Sequence, residues 1–301
     1  MIHGSTALIA HIGYPTHAFK SPMIYNPYFE QTGIDAVVVP MGCKPERYGP
    51  LLKALFTLEN ICGALITMPH KVSTVALLDE ATAAVKIAGA CNAVRRTADG
   101  RLQGDMFDGE GFVRGLKRKG CALEGARVLV VGCGGVGSAI AASLAASGVA
   151  AIALFDVRAE SAQGLGERLR AHYANDAYFA NFADRADRAH NAHNARNAKL
   201  KISTGSNDPA GYDIVVNATP MGMNEGDPMP LDVSRIAPGT FVGEAVMKAE
   251  MTDFLKAAQA RGCRFQVGSD MLFEQIPAYL EFFGLPTTTA ENLRSVARLS
   301  Y

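Results

Sequence analysis

Residues 128–156 read VLVVGCGGVGSAIAASLAASGVAAIALFD, and this stretch decides the architecture. An apolar run, a glycine-rich turn, a small-residue helical pattern and a second apolar run ending in an acid follow one another. Gly132, Gly134 and Gly137 fit G-x-G-x-x-G, with Gly135 and Val136 inside the pattern. The first glycine allows a tight turn, the second lets backbone approach a pyrophosphate, and the third lets the helix pack closely on the strand. The helix then aims its free N–H groups at phosphate oxygens. Asp156 falls where a carboxylate accepts hydrogen bonds from an adenosine ribose diol. Alone, the glycines could mark an ordinary βα turn. Set between strand and helix, with the acid in place, they predict a dinucleotide-binding unit and redox chemistry.

Outward from this unit, strands are predicted at 151–155, 200–203, 214–218, 240–245 and 264–267, as in a doubly wound Rossmann-type domain. The preceding hundred residues also alternate. Strand patterns at 7–13, 35–41, 63–68 and 90–96 are separated by helical patterns at 22–32, 45–58 and 71–78. Asp99-Gly100 marks a hairpin turn into 101–104, and 109–119 reads as a helix leading to the glycine unit. After Gly268, DMLFEQIPAYLEFFG is an amphipathic helix. The expectation is an α/β protein of two domains. A substrate domain with a mostly parallel sheet spans 1–108 plus 270–301, and a dinucleotide-binding domain spans 109–269.

The bulk properties narrow the function. With 301 residues, 49% of them hydrophobic, each domain can bury a core. A formal net charge of zero argues against nucleic acid or an anionic membrane surface as the main partner. No apolar run approaches the ~20 residues needed to span a bilayer, and the opening MIHGSTALIAHIG lacks the basic start of a signal peptide. Cys43, Cys62, Cys91, Cys121, Cys133 and Cys263 show no C-x-x-C spacing and read as reduced core residues of a cytoplasmic protein. The polar stretch 184–199, DRADRAHNAHNARNAK, reads as a solvated helix or loop. His190 and His193 lie three apart with arginines nearby but are not read as part of a complete metal-ligand set, so no metal is expected.

Hydride transfer to or from a hydroxyl carbon needs a group that handles the hydroxyl proton. In GALITMPHK, Thr67 ends a buried strand, Pro69 breaks it and Lys71 opens a helix, at the strand end where open α/β sheets bind ligands. In GDMFDGEGF, Asp108 follows a short strand. Taken singly, Lys71 reads as a surface lysine and Asp108 as a helix N-cap.

Together with their neighbours these residues carry a resemblance to the shikimate dehydrogenases, including their quinate-using relatives. Six motifs appear in that family's order: the opening with Ser21-Pro22 and Asn26, then TMPHK, GACNAV, DMFDGEGF, NATPMGM and GSDMLFEQ. The resemblance implies reversible hydride transfer between NAD(P) and a secondary hydroxyl of shikimate, quinate or a related cyclic hydroxy acid, as in aromatic amino acid biosynthesis. It implies that Lys71 is the general acid/base and Asp108 its partner, with Ser21, Thr67, Asn92 and Gln275 holding substrate. Asn217, Ala218, Thr219 and Met221, with Gly268 and Met271, would lie along the cofactor. The family contains both monomers and dimers, so a homodimer stays open.

The chain departs from the family mainly where substrate is recognised. Phe19 replaces the first of two serines, and Met247 stands at a tyrosine position. Leu65 replaces an asparagine, Met106-Phe107 an Asn-Thr, and Ala93 a threonine. The expected substrate is therefore a related hydroxy compound with a less polar or differently placed acid end. In FDVRAES, Asp156 favours NAD over NADP, although Arg158 could meet a 2′-phosphate. A second reading is a dinucleotide-binding sensor that has drifted from catalysis. A third, another two-domain NAD(P) enzyme acting on a folate or amino acid, fits the motifs less well.

Overall fold

β1 (Ala7–Gly13) is an apolar strand paired on both sides, which explains its lack of polar alternation. The computed structural model describes residues 2–17, 19–174, 200–224, 226–247 and 250–299, so the polar stretch 184–199 lies outside the described residues. α1 (Pro22–Thr32) opens with a proline in its first turn and closes on Gly33 in the left-handed region. β2 (Ala36–Gly42), α2 (Pro45–Leu55) and β3 (Ile61–Ile66) follow. The helix expected at 71–78 is instead a single α turn, α3 (Lys71–Thr74), continued by a 3₁₀ turn at Val75–Leu77. The run Val72-Ser73-Thr74-Val75, with three β-branched residues and a serine, is a poor helix former. β4 (Glu80–Ala81), α4 (Ala83–Ala88), β5 (Ala93–Arg96) and β6 (Leu102–Asp105) complete a six-stranded sheet in the order β2-β1-β3-β5-β6-β4. β1 runs parallel to β2 and β3, and β4 to β6, while β5 is antiparallel to both its neighbours.

α5 (Asp108–Arg118) leads to β7 (Arg127–Val131), α6 (Gly135–Ala146), β8 (Ala151–Phe155), α7 (Ala159–Ala174), β9 (Lys201–Thr204) and β10 (Ile214–Asn217). β11 (Phe241–Glu244), α8 (Asp253–Ala260) and β12 (Arg264–Gln266) complete a second six-stranded sheet, all parallel, in the order β12-β11-β10-β7-β8-β9. The strand order reverses between β7 and β10, the topological switch point at which such sheets bind dinucleotides. The chain ends with α9 (Gly268–Phe282) and α10 (Ala290–Val296). Two compact units result, Met1–Gly111 with Leu272–Tyr301, and Phe112–Met271.

In the first unit, Ile9, Tyr25, Phe29 and Leu65 pack with Leu272, Ile276, Leu280 and Phe283 of the closing segment. Each such side chain contributes roughly 1.5–3 kcal/mol by burial. Gly63 on β3 is where this packing is tightest, because a Cβ there would sit 2.3 Å from the Phe283 ring. Gly63→Ala is expected to destabilise the protein by about 1–3 kcal/mol through overpacking. A urea unfolding curve indistinguishable from wild type would contradict the placement of that ring.

Candidate active site

Register brings the first unit's polar groups to one end of its sheet. Ile66 closes β3, and its N–H donates to the Asn92 carbonyl, 2.8 Å away. The Asn92 N–H donates in turn to the Asp105 carbonyl at the end of β6 (3.0 Å). Thr67, Asn92 and Asp108 are therefore neighbours, although they are distant in sequence. Lys71 Nζ lies 2.6 Å from Asp108 Oδ2, and Asn92 Nδ2 donates to Asp108 Oδ1 at 3.0 Å. The other end of the Asn92 amide accepts from the Phe107 N–H (2.9 Å) and so fixes the turn that presents Asp108. A buried carboxylate needs such partners, since desolvation without them costs several kcal/mol.

Lys71 stands on a braced support. The His70 ring is buried, with Nε2 at 2.8 Å from the Cys43 carbonyl and its face stacked on Tyr48 at 4.0 Å. Tyr48 Oη and Thr74 Oγ1 are 2.6 Å apart, and the Thr74 hydroxyl donates to the His70 carbonyl. This clamp was not expected from sequence. Its one signal is that His70 directly precedes Lys71, and its partner Tyr48 lies too far along the chain to be paired by pattern.

The remaining candidates divide. Gln275 on α9 is buried, and its Oε1 has no hydrogen-bond partner. One turn on, Tyr279 donates to the Asn92 carbonyl at 3.4 Å. Ser21 precedes α1 without a side-chain cap bond. Phe19 stacks on His11, ring centroids 4.0 Å apart. His11, on β1, is 7% exposed and its Nδ1 has no partner. Burial first, and the Lys71 charge second, push the imidazole down to about 4.

The second unit holds the glycine loop. Gly132 adopts a φ of 98°, and a Cβ on it would lie 2.7 Å from the Ala218 backbone. A Cβ on Gly137 would come within 1.9 Å of the Gly132 carbonyl, so only glycine permits this approach of helix to loop. A Cβ on Gly134 would meet nothing within 4 Å, which leaves open the approach to the α6 N-terminus where Gly135 and Val136 begin the helix. That open approach, with the N–H groups beside it, fits a pyrophosphate. The Asp156 carboxylate accepts from the Cys133 N–H at 2.8 Å and from the Arg158 N–H at 3.0 Å. Arg158 itself is exposed, its Nε 3.9 Å from Asp156. Burial, then Asp156, push the Cys133 thiol up to about 12, so the loop cysteine is not a nucleophile.

Asn217 is fully buried with every amide group engaged. Its Oδ1 accepts from the Thr219 N–H and hydroxyl, and its Nδ2 donates to the Met221 carbonyl and to Glu244 Oε1. It shapes the turn through Ala218 and Thr219 rather than offering a free group to a ligand. Glu244 ends β11 and also accepts from the Val246 N–H and the Thr252 hydroxyl. Met247 is 38% exposed, Met271 is buried, and a Cβ on Gly268 would lie 1.9 Å from the Val246 carbonyl. Among the described residues no His, Cys, Asp and Glu side chains cluster as a metal site, and no helix is long and apolar enough to cross a membrane.

A parallel sheet with a glycine loop at its switch point is the arrangement of a dinucleotide-binding domain, the class found in nicotinamide-dependent oxidoreductases. Residues 11–94 match the shikimate dehydrogenase substrate binding domain, and residues 116–159 match the ThiF family. The NADP(+) shikimate dehydrogenase of Rubrobacter xylanophilus is 32% identical over 275 residues, covering 91% of this chain and 89% of that protein. Shikimate 5-dehydrogenase from Listeria monocytogenes, solved with shikimate and NAD, superposes with a TM-score of 0.83 at 23% identity, covering 98% and 97% of the two chains. Quinate dehydrogenase from Corynebacterium glutamicum, solved with NAD, gives 0.80 at 26% identity, covering 97% and 98%. The chain belongs to the shikimate dehydrogenase family.

Glu244 yields a pH prediction. Desolvation raises its carboxyl from 4.5 to about 7, against the pull of its hydrogen bonds. Between those values the folded protein holds a proton on Glu244 that the unfolded chain has released, so the Glu244 contribution to stability falls as pH rises. That contribution has a slope on the order of 1 kcal/mol per pH unit. Buried His11, with its pKa lowered, contributes the opposite slope below about 6.5 in both proteins, so the effect is read as the difference between wild type and Glu244→Gln, which lacks the Glu244 contribution. Thermal melts from pH 5 to 8 in which wild type and variant show the same pH dependence would refute it.

Proposed function

We propose that the protein transfers hydride reversibly between NAD and a secondary hydroxyl of a cyclic hydroxy acid, or a closely related hydroxy compound, with Lys71 and Asp108 as its acid–base pair. The observation that carries this reading is the 2.6 Å contact between Lys71 Nζ and Asp108 Oδ2, backed by Asn92. When bound, the dinucleotide supplies or accepts the hydride. In the reducing direction the Lys71 ammonium gives a proton to the carbonyl oxygen as the carbon becomes tetrahedral. In the oxidising direction the neutral amine takes the hydroxyl proton. Asp108 holds Nζ in place, and the Asn92 amide holds Asp108. Gln275, with an unpartnered buried Oε1, has capacity to bind a substrate hydroxyl. Ser21 and Thr67 complete the proposed substrate residues.

The preference for NAD rests on Asp156. A carboxylate at the end of the second strand accepts from a ribose diol and repels a 2′-phosphate. The named curated relative uses NADP(+), so this is a departure within the family. The substrate end of the proposal rests on Phe19, Leu65 and Met247. None of these three side chains offers a hydrogen bond to a charged carboxylate, and each such bond is worth roughly 1.5–3 kcal/mol, or about ten- to a hundredfold in affinity.

The test is steady-state kinetics with NAD and NADP against shikimate, quinate and ring hydroxy compounds without the carboxylate. We expect tighter binding of NAD and a high KM for shikimate. Lys71→Ala should lower kcat by about 10²- to 10⁴-fold with dinucleotide affinity kept. Tighter binding of NADP overturns the cofactor assignment, and efficient turnover of shikimate at low KM overturns the altered pocket. Tight NAD binding with no turnover of any compound favours a non-catalytic sensor instead.

A further inference from the structure

His11 is the one histidine of β1, and its surroundings are unusual for a core imidazole. A buried polar ring normally spends its nitrogens on protein partners, because leaving one unpaired costs about 1–3 kcal/mol. His70, also buried, does so through the Cys43 carbonyl. The Nδ1 of His11 does not.

Its place in the sheet says what the free nitrogen is near. β1 and β3 pair with His11 beside Leu65, so both side chains project from the same face. Leu65 offers no hydrogen bond there. Two residues on, Gly13 marks the strand end, where the Phe19 ring tip and the Thr67 methyl lie 2.8 and 2.4 Å from the position a Cβ would take. Phe19 covers one face of the imidazole with an interplanar angle of 25°. Lys71 is close enough for its charge to act on the ring. The imidazole is thus bounded by Leu65 and Phe19, two positions without a hydrogen-bonding group, on the sheet end that carries Thr67 and Lys71.

We propose that His11 is a specificity-determining residue of the substrate site, where its ring exchanges one hydrogen bond with a hydroxyl of the substrate at the end occupied by Phe19. A neutral imidazole carries one donor and one acceptor nitrogen, and a hydroxyl can satisfy either. A carboxylate would instead call for a cation. Burial and the neighbouring Lys71 both oppose protonating His11, so it does not supply one. The ligand class favoured at this end is a polyhydroxy ring with a hydroxyl where the family's substrates carry their acid group. This rests on Lys71 and Asp108 being the reacting centre.

The test compares wild type with His11→Phe, which keeps an aromatic ring for stacking but removes both nitrogens, and His11→Asn, which returns an amide near the position of Nδ1. The probes are shikimate, quinate and a carboxylate-free cyclohexane triol that carries one of its hydroxyls in the acid's place. His11→Phe should raise KM for the triol about two- to tenfold, with a smaller change in kcat and an unchanged KM for NAD. His11→Asn should recover part of the loss and stands in if the Phe variant does not fold. An unchanged KM in folded His11→Phe overturns the proposal. So does a loss confined to the carboxylate-bearing probes. If wild type turns over none of them, the reading of Lys71 and Asp108 fails separately, as its own Lys71→Ala test would record. Calorimetric titration of the triol then decides His11 by itself, and affinity for wild type no greater than for His11→Phe rejects it.

Discussion

The carboxylate of Asp108 is buried, and a buried negative charge must be matched by donors. That requirement organises the first unit. Lys71 supplies the opposite charge and Asn92 a second donor. To serve Asp108, Asn92 must hold the turn at Phe107, and its backbone must join the ends of β3 and β6. Lys71 in turn requires a rigid platform, which the stacked His70 and Tyr48 provide. Removing any one member exposes a charge or an amide to a dry interior, which is far costlier than the loss of one ordinary contact.

Much of this fold could be read along the chain because it is built from patterns of short range. The glycine unit, the first helix at Pro22–Thr32 and the strand Ala7–Gly13 have hydrophobic periods or turn residues that leave little choice. The short pieces Glu80–Ala81 and Ala83–Ala88 escaped because two and six residues carry no period. Lys71 and Asp108 could be nominated by motif, but their contact is a product of sheet register. His70 and Asn217 show the limit more clearly. Each acts through partners that only folding brings near, and Asn217, placed beside a cofactor by resemblance, spends its whole amide on the protein. In the sequence, His11 is one polar residue within an apolar strand, where nothing sets it apart from a satisfied core histidine. Only the unpaired nitrogen distinguishes it.

In the second unit, Glu244, Asn217 and Thr252 close on one another in a buried network whose members are partnered within the unit. In the first unit, Gln275 Oε1 and His11 Nδ1 are buried without a protein partner. A buried polar atom left in this way has hydrogen-bonding capacity that a polar ligand can use.

Asp156 joins two tasks that are usually discussed apart. Its oxygens already hold the N–H of Cys133 inside the glycine loop and that of Arg158 in the turn beyond β8. The same carboxylate that would read a ribose is therefore a structural rivet of the phosphate-binding turn. A replacement without an acceptor oxygen frees a loop N–H as well as removing the negative charge, whereas asparagine keeps one acceptor for it. The charge at this position and the anchoring of the loop are thus two properties of one side chain, which a substitution can separate only if it removes the charge and keeps the acceptor.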